Sequence, residues 1–385
     1  MGRKTFIPQE YDVFGGLDVD KKSIFVTFSN HQQGFIRSLQ MPYSVEQLLK
    51  HVRKHFADQK VVFAYEAGPT GYGLYDGLSA QGYNCLVAAP SMIPRAPGQR
   101  VKTNRLDSRG LAENLRGGQL KSIHVPSPIY RELRHLTQLR DTLVSEVAGM
   151  KQRIKSLLLF EGISFPLAPA GSQWSLKVKA KLRKLECSKS VRFKLDQLLD
   201  SVEFSEKQVV KVTKEIRRFC QNDAELSQCI KYMMSVCGVG WIVASQLLAR
   251  IGDWRQLENV RQLGGFLGLV PTENSTGDKT DRGSITHTGD GRLRSKLIQA
   301  SWSAIRQDGE LREFFRSVCR RHPRHVGPQV VIVAVARKLS ARISAVLMGQ
   351  RPYVVRQKVQ SAPLTQEETF ASGNDSMASQ NGGKV

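Results

Sequence analysis

Residues 13–28 read VFGGLDVDKKSIFVTF. Two strand-length runs, VFGGLDV and SIFVTF, flank a polar turn that carries Lys21 and Lys22. Aromatic and β-branched residues crowd both runs, as they do on a pleated, half-buried surface. A carboxylate, Asp18, rides at the end of the first run. Further runs of the same kind follow: GFIRSLQM (34–41), KVVFAYE (60–66) and NCLVAA (84–89). Helical spacing appears between them in SVEQLLKHVRKHF (44–56) and GYGLYDGLSAQG (71–82), the latter stopping at Gly82. Three strands before the first helix, then strand and helix in alternation, predict a mixed sheet rather than a purely doubly wound one.

This α/β domain is expected over residues 1–128. Its last part, APSMIPRAPGQRVKTN, is a Pro-rich basic loop leading into a helix from about Asp107 to Arg116. A linker of long helices is expected over residues 129–224. There Leu136, Leu143, Met150 and Leu157 recur every seven residues, with Leu133, Val147 and Ile154 completing a coiled-coil seam. PLAPAGSQWS separates this helix from a second one, Ser190 to Cys220. The seam suits a dimerising arm or packing within the chain. Residues 225–355 read as an all-α domain, and residues 356–385, nearly devoid of large apolar side chains, as a disordered tail.

The charge balance is the unusual part of the composition. Fifty-seven Lys plus Arg stand against 34 Asp plus Glu, a formal net charge of +23 over 385 residues. That excess is the footprint of a phosphate-rich partner, a nucleic acid before a membrane surface. No apolar run is long enough to span a bilayer, no signal-peptide segment follows Met1, and Phe6 spoils a myristoylation pattern. Six scattered cysteines without a C-x₂-C pair suit neither a zinc site nor a disulfide framework. Free thiols in a reducing cytoplasm are expected.

Four positions could gather hard oxygen ligands around Mg²⁺: Asp18, Glu66, Asn104 and Asp107. Glu66 closes the apolar run VVFAYE, where α/β proteins build their sites. A strand-end Asp or Glu that merely reaches solvent is the plainer alternative. Asp107 lies three residues beyond Asn104, so on a helix both share one face. Equally, Asn104 could cap that helix while Asp107 favours the positive end of its dipole. Arg100, Lys102 and Arg105 suit phosphate contacts.

Gly238-Val239-Gly240 lies between two helical segments and resembles a helix-hairpin-helix turn, whose free N–H groups can meet a phosphate. An ordinary helical hairpin is the alternative. Next comes Pro271-Thr272-Glu273-Asn274-Ser275-Thr276-Gly277, followed by Lys279, Arg282, His287, Arg292, Arg294 and Lys296. A hydroxyl among such cations could attack phosphorus. From composition alone, loop residues beside phosphate-binding cations is the stronger reading.

The motifs GLDVDK, YEAGPTGYGLYDGL, VKTNRLDSRGLAENLRGGQL, CGVGWIVASQLLARIGD and GLVPTENSTG…RGSITHTGDGRLR change that balance. In order and spacing they resemble the IS110 family of transposases with its IS1111 branch, relatives of the Piv/MooV DNA invertases, over nearly all of residues 12–350. The resemblance implies a RuvC-like, RNase H-type N-terminal domain with a DEDD metal site, a coiled-coil linker, and a C-terminal transposase domain with a nucleophilic serine. It also implies a structured bridge RNA that pairs with donor and target DNA. By motif match Asp18, Glu66 and Asp107 are the first, second and fourth acids. The third falls on Asn104, a departure that removes one negative charge from the Mg²⁺ site. The serine position falls on Ser275 or Thr276, with Ser275 favoured as the less crowded primary hydroxyl.

The expected protein is therefore an insertion-sequence transposase, a homo-oligomer without membrane contact. It would cut and rejoin DNA through a covalent serine–DNA intermediate with Mg²⁺ assistance. A Holliday-junction-type nuclease using water, or a non-catalytic nucleic-acid-binding protein, are the alternatives.

Overall fold

The computed structural model describes residues 6–94, 103–166, 174–273, 282–321 and 327–355. Two compact units divide the chain, one built from residues 1–216 and 248–258 and the other from residues 217–247 and 259–385.

In the first unit, β1 (Val13–Val19), β2 (Ser23–Asn30), β3 (Gly34–Pro42), β4 (Val61–Glu66) and β5 (Asn84–Ala88) form a sheet of order β3-β2-β1-β4-β5. β2 is antiparallel to β1 and β3, whereas β4 is parallel to β1 and β5. The mixed sheet predicted from the placement of the helices is the one observed. α1 (Val45–His55) and α2 (Gly73–Ala80) supply the crossovers to β4 and β5. Ser44 caps α1 by accepting from the Gln47 N–H at 3.2 Å, and Leu48, Leu49 and Val52 turn inward.

Strand alternation sorts the sheet into two faces. Val13, Leu17, Phe63, Tyr65, Cys85 and Val87 pack with α1 and α2. Phe14, Val62, Ala64, Leu86 and Ala88 instead meet Leu111 and Leu115 of α3 (Asn104–Arg116). α3 begins three residues earlier than its apolar spacing predicts because Thr103 caps it, accepting from the Leu106 N–H at 3.3 Å. The cap is thus Thr103 and not Asn104.

α4 (Pro128–Phe160) is tied to α2 by a two-pronged pair, Arg131 donating to both Asp76 oxygens at 2.7 and 2.9 Å. That pairing raises the Arg131 pKa further. Beyond it, Val147, Met150, Ile154, Leu157 and Leu158 are covered by α5 (Leu176–Arg183) and the first half of α6 (Lys189–Gln221). The C-terminal half of the seam is therefore spent on packing within the chain, through a short helix, α5, that the heptad reading does not contain. Glu206 binds this bundle together between Lys151, at 2.7 Å, and Lys179. Burial works to raise its pKa, but the two lysines prevail and hold it below the ordinary value.

The second unit contains α7 (Ala224–Met234), α9 (Gln262–Phe266), a two-stranded ribbon of β6 (Pro271–Glu273) and β7 (Arg282–Ile285), α10 (Gly291–Gln307), α11 (Gly309–Arg321) and α12 (Pro328–Gly349). α8 (Trp241–Ile251), like α6, crosses the division between units. α12 is its central rod, with Val331, Ile332, Val335, Leu339, Ile343 and Leu347 buried. No helix among the described residues is long and apolar enough to cross a membrane. All six cysteines are free thiols, three of them (Cys85, Cys220 and Cys229) buried.

Candidate nucleic-acid-processing site

Asp18 and Glu66 come together through strand register. β1 and β4 run parallel with Leu17 opposite Tyr65. The next residue on each strand, Asp18 and Glu66, therefore stands beside its neighbour at the carboxyl end. Leu17 and Tyr65 belong to the face covered by α1 and α2, so alternation turns the two acids to the other face. That face carries α3, whose first turn holds Asn104 and Asp107. Asp18, Glu66 and Asp107 are half-buried and Asn104 is exposed.

The approach of α3 depends on small residues. A side chain at Gly16 would have its Cβ 2.1 Å from the Ser108 carbonyl oxygen and 2.4 Å from the Ala112 nitrogen. The helix backbone thus rests directly on β1, two residues from Asp18. Beside this contact, Thr27 Oγ1 shares hydrogen bonds with Ser108 Oγ at 2.7 Å and Ser38 Oγ at 2.8 Å. Ser29 Oγ donates to the Ala112 carbonyl at 3.4 Å. A hydroxyl seam satisfied in this way costs little to bury and admits only one position of the helix. None of these residues stands out in the sequence, because Gly, Ser and Thr carry no apolar periodicity.

The loop after β4 is also held. Tyr65 Oη donates to the Gly71 carbonyl at 3.0 Å, and burial raises its phenol pKa well above normal. Asn104 has a partner that its motif does not reveal, its Nδ2 donating to Asp20 Oδ2 at 3.1 Å. The donor chemistry of the face, carboxylate and amide oxygens, suits a hard cation such as Mg²⁺. Among the described residues no three His, Cys, Asp or Glu side chains form a group able to hold a metal.

In the second unit the two glycines of the α7–α8 turn do different things. Gly238 sits at φ +84°, and a Cβ there would lie 2.4 Å from the Ala300 carbonyl of α10. It is needed for packing. Gly240 is exposed at the start of α8 with open space around it, which suits a phosphate at a helix N-terminus. Accordingly, Gly238→Ala is expected to cost about 3 kcal/mol of stability through strain and clash. Gly240→Ala is expected to keep the melting temperature and lower DNA affinity, which thermal melts and filter binding would distinguish.

Of the cations after the ribbon, Arg294 donates to the Leu267 and Thr288 carbonyls at 3.0 and 3.1 Å, so it braces the loop that precedes α10. Arg292 is exposed on the first turn of α10, which Asp290 caps, and Lys296 is half-buried one turn on. Arg105 is exposed on the first turn of α3. In the loop before α10, His287 adopts φ +55°, a left-handed conformation uncommon outside glycine. Ser275, Thr276 and Lys279, between β6 and β7, lie outside the described residues, as do Arg100, Lys102, the Arg282 side chain and the tail after residue 355.

The α/β part and the helical part each correspond to a known transposase module. Residues 15–161 match the DEDD transposase model of IS110 type, and residues 230–316 match the model described as transposase, IS116/IS110/IS902 family. Among curated proteins, the chain is 31% identical to a Sinorhizobium fredii protein designated as a transposase, y4qE, over 76% of its own length and 72% of the relative's. It is 24% identical to the transposase for insertion sequence element IS1533 of Leptospira borgpetersenii, covering 88% and 97% of the two chains. The transposase for insertion sequence element IS1111A of Coxiella burnetii is 25% identical over 66% of this chain and 68% of the relative. The chain belongs to the IS116/IS110/IS902 family of insertion-sequence transposases.

Proposed function

We propose that this transposase breaks and rejoins DNA through a serine–phosphate intermediate, guided by a structured RNA that pairs with donor and target. The observation that carries the catalytic half is the side-by-side position of Asp18 and Glu66 on the sheet face that α3 covers, with Asn104 and Asp107 on its first turn. Such a sheet, with order β3-β2-β1-β4-β5 and acids at adjacent parallel strand ends, suits a RuvC-like, RNase H-type domain. Asp18, Glu66 and Asp107, with the Asn104 carbonyl, would hold Mg²⁺. Bound there, the ion would withdraw negative charge from the phosphate as it is attacked.

The protein's own part in the reaction is nucleophilic. The Ser275 hydroxyl gives up its proton and bonds to phosphorus, and one bridging P–O bond to deoxyribose breaks. The departing deoxyribose oxygen takes up a proton, leaving a free hydroxyl end. Rejoining reverses these events with a hydroxyl from another strand, so the number of phosphodiester bonds is conserved. Arg100, Lys102, Arg105, Lys279, Arg282, Arg292 and Lys296 hold backbone phosphates, in keeping with the net charge of +23. Assembly is as a homo-oligomer on the paired DNA ends.

Trapping tests the serine. Wild-type protein with DNA carrying its own element ends and the co-expressed RNA is expected to yield a protein–DNA adduct that survives denaturation. Thr276→Ala should retain the adduct, while Ser275→Ala and Asp18→Asn should lose it. An adduct that persists in both Ser275→Ala and Thr276→Ala assigns the covalent link to another side chain and removes the serine mechanism, and cleavage with no adduct removes it in favour of a water-using nuclease.

A further inference from the structure

The asparagine at the third acidic position faces an acid that the motif does not include. Asn104 Nδ2 donates to Asp20 Oδ2 at 3.1 Å, across 84 positions of sequence. Asp20 is itself fixed, because its N–H donates to the Ser23 carbonyl at 2.9 Å and closes the β1–β2 turn. The other end of the contact is fixed as well, since Gly16 and the Thr27–Ser108 hydrogen bond seat α3 on the sheet. A side-chain amide has one donor end and one acceptor end. With Nδ2 directed at Asp20, Oδ1 is the oxygen that Asn104 has to offer elsewhere. An aspartate at 104 would instead set carboxylate against carboxylate at hydrogen-bonding distance, where the two like charges repel.

We propose that Asp20 and Asn104 act as one unit in place of the missing acid. Asp20 carries the negative charge, and by accepting from Nδ2 it orients Oδ1 as a neutral oxygen donor to the divalent cation. Together with Asp18, Glu66 and Asp107, Asp20 brings the face to four carboxylates, the number of acids in the motif. Asp20 is a positioning residue and Asn104 a ligand. The proposal rests on the reading that Asp18, Glu66 and Asp107 hold that cation.

The test uses the full chain and Mn²⁺ as the probe, its binding followed by the loss of the free-ion electron paramagnetic resonance signal. Asp20→Asn should weaken Mn²⁺ binding about tenfold, the usual effect of removing a partner of a ligand. Asn104→Asp alone should melt at lower temperature than wild type without cation and gain more from added Mn²⁺. The double variant Asp20→Asn/Asn104→Asp exchanges the roles of the two residues. It should recover Mn²⁺ affinity to within about twofold, a coupling that independent sites do not show. If Asp20→Asn binds Mn²⁺ like wild type while Asp18→Asn does not bind it, the paired unit is wrong and the acid site stands. Additive losses in the double variant also overturn the pair. If Asp18→Asn leaves Mn²⁺ binding unchanged, the acid site itself fails.

Discussion

Gly16→Ala is expected to dislodge α3 from the sheet and to abolish transposition. The atoms that a Cβ would strike, at 2.1 and 2.4 Å, belong to the backbone of Ser108 and Ala112. They cannot swing aside as a side chain could. Moving the helix outward would break the buried Thr27–Ser108 hydrogen bond of 2.7 Å and open the packing of Leu111 and Leu115 against Phe14 and Val62. The combined cost should be about 3 kcal/mol or more, in the range of severe overpacking with loss of a buried hydrogen bond. Asp107 immediately precedes Ser108, so whatever moves the helix moves the acid. Gly110 provides the control, because it lies on the same helix with open space where its Cβ would be. Gly110→Ala should be neutral or stabilising by about 0.5–1 kcal/mol through helix propensity. Hydrogen exchange of β1, β2 and α3 amides would separate the two. Unchanged protection in Gly16→Ala would refute the close seating of α3.

Asp308→Ala is expected to be the most damaging change in the second unit. Asp308 is fully buried. It accepts from the Leu311 N–H at 3.0 Å, from Tyr353 Oη at 3.1 Å, and from Arg342. Arg342 also reaches Glu310 at 3.0 Å and lies over the Tyr353 ring. Tyr353 in turn donates its N–H to Ser235 Oγ at 2.7 Å, at the end of α7 just before the Gly238 turn. Removing the carboxylate leaves a largely buried guanidinium whose remaining ion-pair partner among the described residues is the exposed Glu310. The loss should be about 3–5 kcal/mol, as for other broken buried ion pairs.

The same node predicts an acid sensitivity. Burial pushes the Asp308 pKa up, but the Leu311 N–H, Arg342 and Tyr353 outweigh it and hold the group below its ordinary value. A carboxyl group whose folded pKa is depressed contributes its full stability above the unfolded value, about 3.9. That contribution is lost as pH falls through the folded value. Thermal melts of wild type should therefore fall steeply below about pH 4, where the unfolded carboxyl begins to bind protons. Asp308→Asn, less stable throughout, should show a shallower fall. Parallel slopes would remove Asp308 as the cause.

Much of the first unit was legible along the chain. The alternation in VFGGLDV, SIFVTF and VVFAYE specified strands with two unlike faces, and the position of SVEQLLKHVRKHF after three of them specified a mixed sheet. Motif spacing was enough to place the chain in its transposase family. The heptad seam specifies a helix, but its periodicity does not say which surface covers it. Val147, Met150 and Ile154 were taken up by α5 and α6 instead. An apolar stripe records only that burial is required, and any apolar surface meets that requirement.

What tertiary structure alone decided concerns polar and small residues. Gly16 as the seat of α3, the Thr27–Ser108 contact, Asp20 opposite Asn104, and Tyr353 on Asp308 all join positions far apart in sequence. Hydrophobic burial is nondirectional and leaves a periodic trace in a single segment. A hydrogen bond or a close backbone approach is set by the geometry of two segments at once, and neither segment carries a mark of the other.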